Sequence, residues 1–189
     1  VGSEMCIRDR YSPNDSKNMQ NEERFLNTDN VFSFNRIGFS ETIESGASLT
    51  LGIDFDKRFK DNNQNYFTSK IATVFRDEIN ENLPIKSTLG KKQSDIVGEI
   101  NFNPNKYLTF DYNYSLNDDL DEINLHVFEN SFKVNNFINT FTFYEENNLI
   151  GDKSYYENEF AYELNKNNSF SFKTRNNKKD NLTEFYDLV

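Results

Sequence analysis

The sequence predicts an all-β protein, an antiparallel up-and-down meander of roughly nine strands. In successive stretches, apolar and polar residues alternate with a period of two, which is typical of strands with one apolar and one polar face. Aromatic residues make up 15% of the chain, with 19 Phe and 10 Tyr, whereas hydrophobic residues of all kinds reach only 35%. This composition suits strands with one wet face better than buried helices.

The clearest hairpin runs from Lys92 to Leu116. In its second strand, Leu108 to Leu116, apolar and polar residues alternate without exception. The run Asn103-Pro104-Asn105 supplies the predicted turn, because Pro fixes φ and Asn tolerates unusual backbone angles. The other strands repeat this hairpin with less regularity.

The remaining strands are predicted from the same alternation, taken in chain order. Alternating runs occur at 46–58, 65–76, 122–134, 137–146, 156–164 and 169–173, and a last one begins at Glu184. The run at 122–134 is the least regular and is predicted to contain a bulge. Polar connections separate the runs, including a charged loop predicted over Arg175 to Asn181.

Two environments produce this alternation. A soluble sandwich or barrel packs its apolar face inward, whereas an outer-membrane barrel turns that face to lipid and lines a wet lumen with the polar one. Strands of about ten residues are long enough to cross a bilayer when tilted. Aromatic residues also lie toward strand ends, as at Phe67, Tyr107 and Tyr156, and the opposite face is unusually polar. We therefore predict part of a large transmembrane outer-membrane β-barrel.

Three segments divide the chain. Residues 1–10, VGSEMCIRDR, resemble a translated sequencing-adapter string, and we expect them to be a non-native leader. Residues 11–45 are polar and largely aperiodic, which predicts an irregular segment associated with the lumen. Residues 46–189 are expected to form a partial barrel, truncated at its C-terminus within an alternating strand.

Composition and motifs argue against several functions. A net charge of −10 makes a nucleic-acid partner improbable, because such proteins need clustered Lys and Arg. The sequence contains no nucleophile elbow, phosphate loop or catalytic histidine pair, so we expect neither an enzyme nor a cofactor. His126 is the only histidine, and a metal or triad site would need partners, so we expect a lumen or interface side chain.

Two charged runs have a functional and a simpler interpretation. The acidic run at 117–122 offers oxygen ligands for a divalent cation, but it lacks the spacing of an EF-hand. The basic run at 173–179 is able to contact lipid phosphates. For both runs a solvated turn or loop is the favoured interpretation, and no metal site is predicted.

Specific residues carry a resemblance to a known family. The stretch NVFSFNRIGFSETIESGASLTLGIDF, residues 30–55, resembles the signature of the LptD family of LPS-assembly outer-membrane proteins. A second stretch, Ser94-Asp95-Ile96-Val97-Gly98 followed by Pro104 and Leu108, resembles the next marked hairpin of that family. Residues 13–16 and 183–188 resemble further family segments, in the family's order. The motif positions are Asn35, Arg36, Thr42, Ile43, Glu44, Gly46, Gly52, Ser94, Asp95, Gly98 and Pro104.

The resemblance implies a location, a function and a set of partners. The family's barrel lies in the outer membrane of Gram-negative bacteria, receives lipopolysaccharide (LPS) from a periplasmic bridge protein and inserts it into the outer leaflet. A lipoprotein plugs the barrel lumen, and outer-membrane lipid surrounds the wall. The motif departs from the family at Ser45, where Gly is expected, and at 37–41, which lacks the family's run.

One pair within the motif suggests a specific contact. A guanidinium and a carboxylate form bidentate hydrogen bonds, so Arg36 and Glu44 are predicted to hold residues 31–45 against the barrel wall. A different outer-membrane porin or uptake barrel, and a soluble β-sandwich module that binds glycans, are the alternative functions. The porin alternative would share the alternation but not the pattern from Asn35 to Gly46.

Overall fold

The computed structural model describes residues 1–13, 17–38, 44–59, 65–165 and 168–188. Ten strands form one antiparallel sheet, in which each strand pairs with its neighbours in sequence. The strands are β1 (Gly2–Ser12), β2 (Gly46–Arg58), β3 (Tyr66–Arg76), β4 (Ile96–Asn105), β5 (Leu108–Leu116), β6 (Ile123–Val134), β7 (Phe137–Glu146), β8 (Ser154–Asn165), β9 (Asn168–Asn177) and β10 (Leu182–Leu188). A 3-10 turn covers Ile85–Ser87. Within the described ranges, no helix is long and apolar enough to cross a membrane.

The predicted fold class is confirmed: the strands form an up-and-down meander, and the described chain contains one sheet rather than the two of a sandwich. The sheet is open, since β1 and β10 each pair with a single neighbour. The additional strand is β1, which lies almost wholly in the predicted leader. It pairs with β2 in unbroken register from Gly2 opposite Asp56 to Ser12 opposite Gly46.

Two local predictions were wrong. The turn between β4 and β5 is Lys106-Tyr107, not residues 103–105. Pro104 instead lies where the register shifts between Phe102 and Asn105, so its missing N–H interrupts an already irregular part of the ladder. Arg175 belongs to β9 rather than to a loop, because it pairs across both neighbouring strands.

The bulge predicted in the strand after β5 is confirmed. Ser115 pairs with Leu125, but Leu116 pairs with Ile123, so Asn124 is the extra residue on β6. A bulge changes the direction in which a side chain points. This single insertion determines the contacts of Asn124 described below.

The outer face of the sheet is apolar and exposed. Its large side chains with more than a third of their surface exposed include Leu49, Ile53, Ile71, Phe132, Phe137, Tyr156, Phe160, Tyr162 and Phe170. A row of rings crosses β2 to β6 toward the ends of the strands, with neighbouring centroids 5.9–6.4 Å apart: Phe55, Phe67, Phe102, Phe110 and Phe128. An exposed apolar band with an aromatic girdle is the pattern of a lipid-facing barrel wall.

The inner face holds the buried core. Two connections, residues 17–38 and 77–95 (the inner segments), pack against Ala72, Val74 and Val97 of β3 and β4. The inner segments contribute Met19, Leu26, Val31, Ile37, Leu83 and Leu89 to this core. The chain therefore buries apolar residues on the side of the sheet that is otherwise polar.

The two ends of the sheet differ in the length of their connections. One end carries the connections at 13–45, 77–95, 117–122, 147–153 and 178–181. At the other end, β4–β5 and β6–β7 are joined by two residues each, and the longest connection there, between Arg58 and Tyr66, has seven residues, against 19 or more for the two longest at the first end. We call these the long-loop end and the short-turn end. The inner segments both start and finish at the long-loop end.

Candidate functional site

A cluster of one glutamate and three arginines joins an inner segment to the sheet. Glu44 lies two residues before β2, Arg36 lies near the end of an inner segment, Arg76 ends β3, and Arg10 lies on β1. Arg36 Nε donates to Glu44 Oε1 at 2.8 Å and its Nη2 donates to Oε2 at 2.6 Å. Arg76 Nη1 donates to Oε2 at 3.0 Å, and Arg10 Nη1 lies 3.2 Å from Oε1. Glu44 is thus the shared acceptor of an arginine–glutamate cluster.

Arg36 also reaches the polar side chains of β2. Its Nη2 donates to Ser48 Oγ at 2.8 Å, and its Nη1 donates to Thr50 Oγ1 at 3.0 Å. The Arg36 side chain is 2% exposed and that of Glu44 1%. A bidentate pair at this depth fixes both geometry and position. Arg36 therefore fastens the end of the inner segment to the inner face of the sheet.

Positive charge exceeds negative charge inside the cluster. Three guanidinium groups share the carboxylate of Glu44, and arginine stays protonated in proteins. Arg76 Nη2 also donates to the carbonyl of Ser45. In the described part of the chain, Arg76 Nε is buried without a hydrogen-bond partner. The cluster therefore retains capacity to bind a further acceptor.

Two motif glycines make room for these contacts. Gly46 has φ of +80°, a conformation that favours glycine, and it begins β2 beside the cluster. At Gly52, an added Cβ would lie 2.8 Å from Phe32 Cζ and 2.9 Å from the carbonyl oxygen of Ile71. Gly52 thus lets the Phe32 ring of the inner segment lie directly on β2.

A second buried network is centred on Asp95, where the other inner segment enters β4. Asp95 Oδ2 accepts from Ser115 Oγ at 3.0 Å and from Asn124 Nδ2 at 2.6 Å. The backbone N–H of Asp95 donates to Thr88 Oγ1 at 2.9 Å, and Lys91 Nζ lies 3.8 Å from Oδ1. The bulge on β6 brings Asn124 to this carboxylate. The network ties an inner segment to β5 and β6.

Two further motif residues organise short backbone turns. Asn35 Oδ1 accepts from the backbone N–H of Gly38 at 3.0 Å, next to Arg36. Ser94 Oγ accepts from the backbone N–H of Val74 at 3.0 Å and donates to the carbonyl of Asp95 at 2.8 Å. Both side chains therefore support the segments that carry the charged groups.

The last two motif residues lie away from both networks. Gly98 is on the outer face opposite Tyr114, and an added Cβ would overlap the Tyr114 ring. Pro104 is in the irregular part of β4 at the short-turn end. Several positions of the family resemblance lie outside the described residues: Asn14, Asp15, Ser16, Thr42 and Ile43.

The remaining candidates occupy ordinary positions. His126 Nδ1 lies 2.9 Å from the hydroxyl of Tyr112, on the outer face. In the acidic run, the Lys91 ammonium donates to Asp118 at 2.9 Å and holds the pKa of that carboxyl below its usual range. Within the described ranges, no group of three or more His, Cys, Asp and Glu side chains is arranged to hold a metal ion.

The basic run is partly built into the sheet. Lys173 Nζ lies 2.7 Å from Glu157 Oε1, and Arg175 donates to Glu157 Oε2 through Nε at 3.0 Å and Nη2 at 2.8 Å. The Arg175 guanidinium also lies 4.4 Å from the centroid of the Tyr155 ring. These contacts stabilise the pairing of β8 with β9 on the inner face.

Sequence reasoning missed several members of the networks, among them Arg10, which lies in the segment expected to be a non-native leader, Arg76 and Asn124. Arg76 ends the alternating run at 65–76, and nothing in the local pattern relates it to a glutamate 32 positions earlier. Asn124 was assigned to the irregular strand without a contact. The irregularity of that strand was the available signal, because a bulge redirects a side chain.

An open antiparallel sheet with an apolar outer face, a polar inner face and chain segments packed on the inside defines a class, the outer-membrane β-barrel proteins. The LptD family model, described as LPS transport system D, matches residues 11–179. The chain therefore belongs to the LptD family, as the sequence resemblance predicted. It is an outer-membrane protein with a role in LPS transport. A comparison with curated proteins finds no match.

Proposed function

We propose that the chain forms part of the barrel wall that carries LPS and inserts it into the outer leaflet. The observation that supports this most directly is the division of the sheet into an exposed apolar outer face and a polar inner face. LPS joins acyl chains to a hydrophilic saccharide, and a wall with one lipid-facing and one wet side suits both parts. The role is transport by structure, without bond-breaking chemistry. The family match favours it over the porin and glycan-module alternatives.

The inner face supplies contacts for partners. We propose that the lumen-plugging lipoprotein lies against Thr109, Asp111 and Asn113, which are half-buried on the inner face of β5. A periplasmic bridge protein delivers LPS, and the complete barrel releases it laterally between its first and last strands. The inner segments, fastened by Arg36 and Asp95, give the lumen a fixed shape near those contacts.

Connection length supports an orientation in the membrane. Outer-membrane barrels have short periplasmic turns and longer extracellular loops. The long-loop end of the sheet is therefore assigned to the cell exterior and the short-turn end to the periplasm. In this orientation the arginine–glutamate cluster lies near the outer leaflet, where LPS is delivered.

A crosslinking experiment tests the proposed role with a matched pair of adjacent residues. Thr109 and Phe110 occupy opposite faces of β5, so a photo-crosslinking amino acid at each position samples either the inside or the outside of the wall. In cells that depend on the full-length protein, the probe at Thr109 is expected to capture the LPS-assembly lipoprotein. The probe at Phe110 is expected to capture outer-membrane lipid but not the lipoprotein.

Two results would contradict the proposal. Capture of the lipoprotein from Phe110 but not from Thr109 would reverse the assigned faces. The amount of LPS at the cell surface is measured by labelling intact cells. If it stays normal after the protein is depleted, the transport role itself is refuted.

A further inference from the structure

A polar cavity of about 650 Å³ opens beside the arginine–glutamate cluster at the long-loop end. Its volume lies within the range of small-molecule sites. It is bounded by the end of β1, the start of β2 and the end of β3. Its lining includes Ser45, Gly46, Arg76, Asp77 and Glu78.

One wall of the cavity carries a buried cation with spare bonding capacity. The Arg76 side chain is 2% exposed, and its two terminal nitrogens are engaged by Glu44 and the carbonyl of Ser45. Its Nε has no hydrogen-bond partner among the described residues. This buried Nε does not reach the cavity. Nη2 lies beside the open space over Gly46 and carries a second N–H besides the one donated to Ser45, so an anionic acceptor in the cavity would accept from it.

The lining of the cavity also carries acidic groups. Asp77 Oδ1 accepts from the backbone N–H groups of Ala47, at 3.3 Å, and Glu78, at 2.9 Å. The Glu78 side chain is exposed and lines the cavity. Carboxylates repel a bare anion but accept hydrogen bonds from hydroxyl groups. The cavity therefore suits a ligand that carries both an anionic group and hydroxyls.

Gly46 keeps the space between these walls open. A Cβ at this position would lie 3.5 Å from Arg76 Nη2 and 3.5 Å from Asp77 Oδ1. A longer side chain would extend from there over both groups. The motif glycine thus serves the strand start by its positive φ and leaves the cation and the carboxylate accessible to one ligand.

We propose that this cavity binds an anionic saccharide, a sugar bearing a phosphate or carboxylate group. The anionic group lies against Arg76, and the sugar hydroxyls donate to Asp77. The inference rests on the proposed function for its setting, because the long-loop end of an LPS-carrying barrel meets the phosphorylated sugars of LPS. It does not depend on Arg10, which lies outside the range matched by the family, whereas Arg76 lies inside it.

Ligand-observed NMR on the full-length protein in detergent tests the proposal. The probes are N-acetylglucosamine 1-phosphate, N-acetylglucosamine and inorganic phosphate. The sugar phosphate is expected to bind about tenfold more tightly than the uncharged sugar or free phosphate, since a charge-assisted hydrogen bond adds to the hydroxyl contacts. Equal binding of inorganic phosphate would overturn the saccharide assignment, and equal binding of the uncharged sugar would overturn the role of Arg76.

Two substitutions with opposite expected effects exclude a folding artefact. Arg76→Lys is expected to weaken sugar-phosphate binding about tenfold, because the ammonium loses the fixed guanidinium geometry. Glu78→Gln, at an exposed side chain, is expected to strengthen it several-fold by removing a repulsive charge. Weaker or unchanged binding by Glu78→Gln would contradict the proposal.

A competition experiment distinguishes LPS from a free sugar phosphate as the natural ligand. An assay of LPS transport in cells distinguishes failure of this proposal from failure of the transport role. Intact LPS is expected to displace the probe, and dephosphorylated LPS is not. If neither displaces it, the site serves a soluble sugar phosphate and the LPS assignment fails. If LPS transport is normal but the protein does not bind the sugar phosphate, the proposed saccharide site is refuted and the transport role is not. If the protein binds the sugar phosphate but LPS transport does not depend on the protein, the proposed function is refuted and the saccharide site is not.

Discussion

Replacing Arg36 with Ala removes the contact that joins the inner segment to β2. Four hydrogen bonds of 2.6–3.0 Å are lost, two of them to a carboxylate that is 1% exposed. Breaking a buried ion pair by deleting one partner costs about 3–5 kcal/mol. Glu44 would keep two other arginines nearby, so the loss for Arg36→Ala is expected at the lower end, about 3 kcal/mol.

The reciprocal change should cost more. Glu44→Gln leaves three buried guanidinium groups around a neutral amide, so the loss is expected near the upper end, about 5 kcal/mol. The exposed pair of Arg58 and Asp56 provides the control, since their atoms lie 3.4 Å apart with side chains 60% and 48% exposed. Arg58→Ala should change the free energy of unfolding by less than about 1 kcal/mol.

Urea unfolding of the full-length protein in micelles, followed by heat-modifiable mobility on gels, measures all three variants. The expected order of destabilisation is Glu44→Gln, then Arg36→Ala, then Arg58→Ala. If Arg36→Ala behaves like Arg58→Ala, the cluster does not fasten the inner segment. If Glu44→Gln is the milder of the two buried changes, the assigned excess of positive charge is wrong.

Three further changes test other parts of the wall by the same unfolding assay or by proteolysis. Asp95→Leu should cost about 3 kcal/mol, because two buried side-chain donors lose their acceptor; an effect below about 1 kcal/mol would contradict the network. Gly98→Ala should destabilise the barrel by displacing the Tyr114 ring, whereas Gly98→Ala with Tyr114→Ala should recover part of the loss, and strict additivity would argue against that contact. The pKa of Asp118 is lowered by Lys91, so the stability from this contact is present above the ordinary aspartate pKa and is lost as the pH falls through the lowered value. Protease cleavage at 77–95 should therefore rise at acid pH in the native protein, with a smaller rise in Asp118→Asn, where the contact is already weakened at neutral pH; an equal rise would refute the assignment.

The local sequence pattern predicted much of the sheet, because the alternation of a strand depends only on neighbouring residues. The runs that became β2, β3 and β7 agree with the observed strands to within one residue at each end. The prediction of a turn at 103–105 was wrong. Asn and Pro both favour turns, but the shift in register between β4 and β5 accommodates Pro104 within β4. Propensity indicates that the chain bends, whereas the pairing of neighbouring strands decides where it reverses.

The residues of the candidate site could be predicted from the sequence only in part. The resemblance to the family singled out Arg36 and Glu44, eight positions apart, and the structure brings their charged groups together. Arg76 is missing from that motif although it contacts the same carboxylate. Its position depends on the register between β2 and β3, where Ser48 lies opposite Arg76, and register is a property of two strands together.

The sequence by itself determined the strand class, the two faces of each strand, the bulge and the family, because each depends on neighbouring residues or on a short ordered motif. Only the tertiary structure decided that residues 17–38 and 77–95 fold back onto the inner face, that three arginines meet one glutamate, and that a cavity remains beside them. Those features join groups separated by tens of residues. Their free energy comes from burial and charge pairing across strands, which no local pattern of residues records.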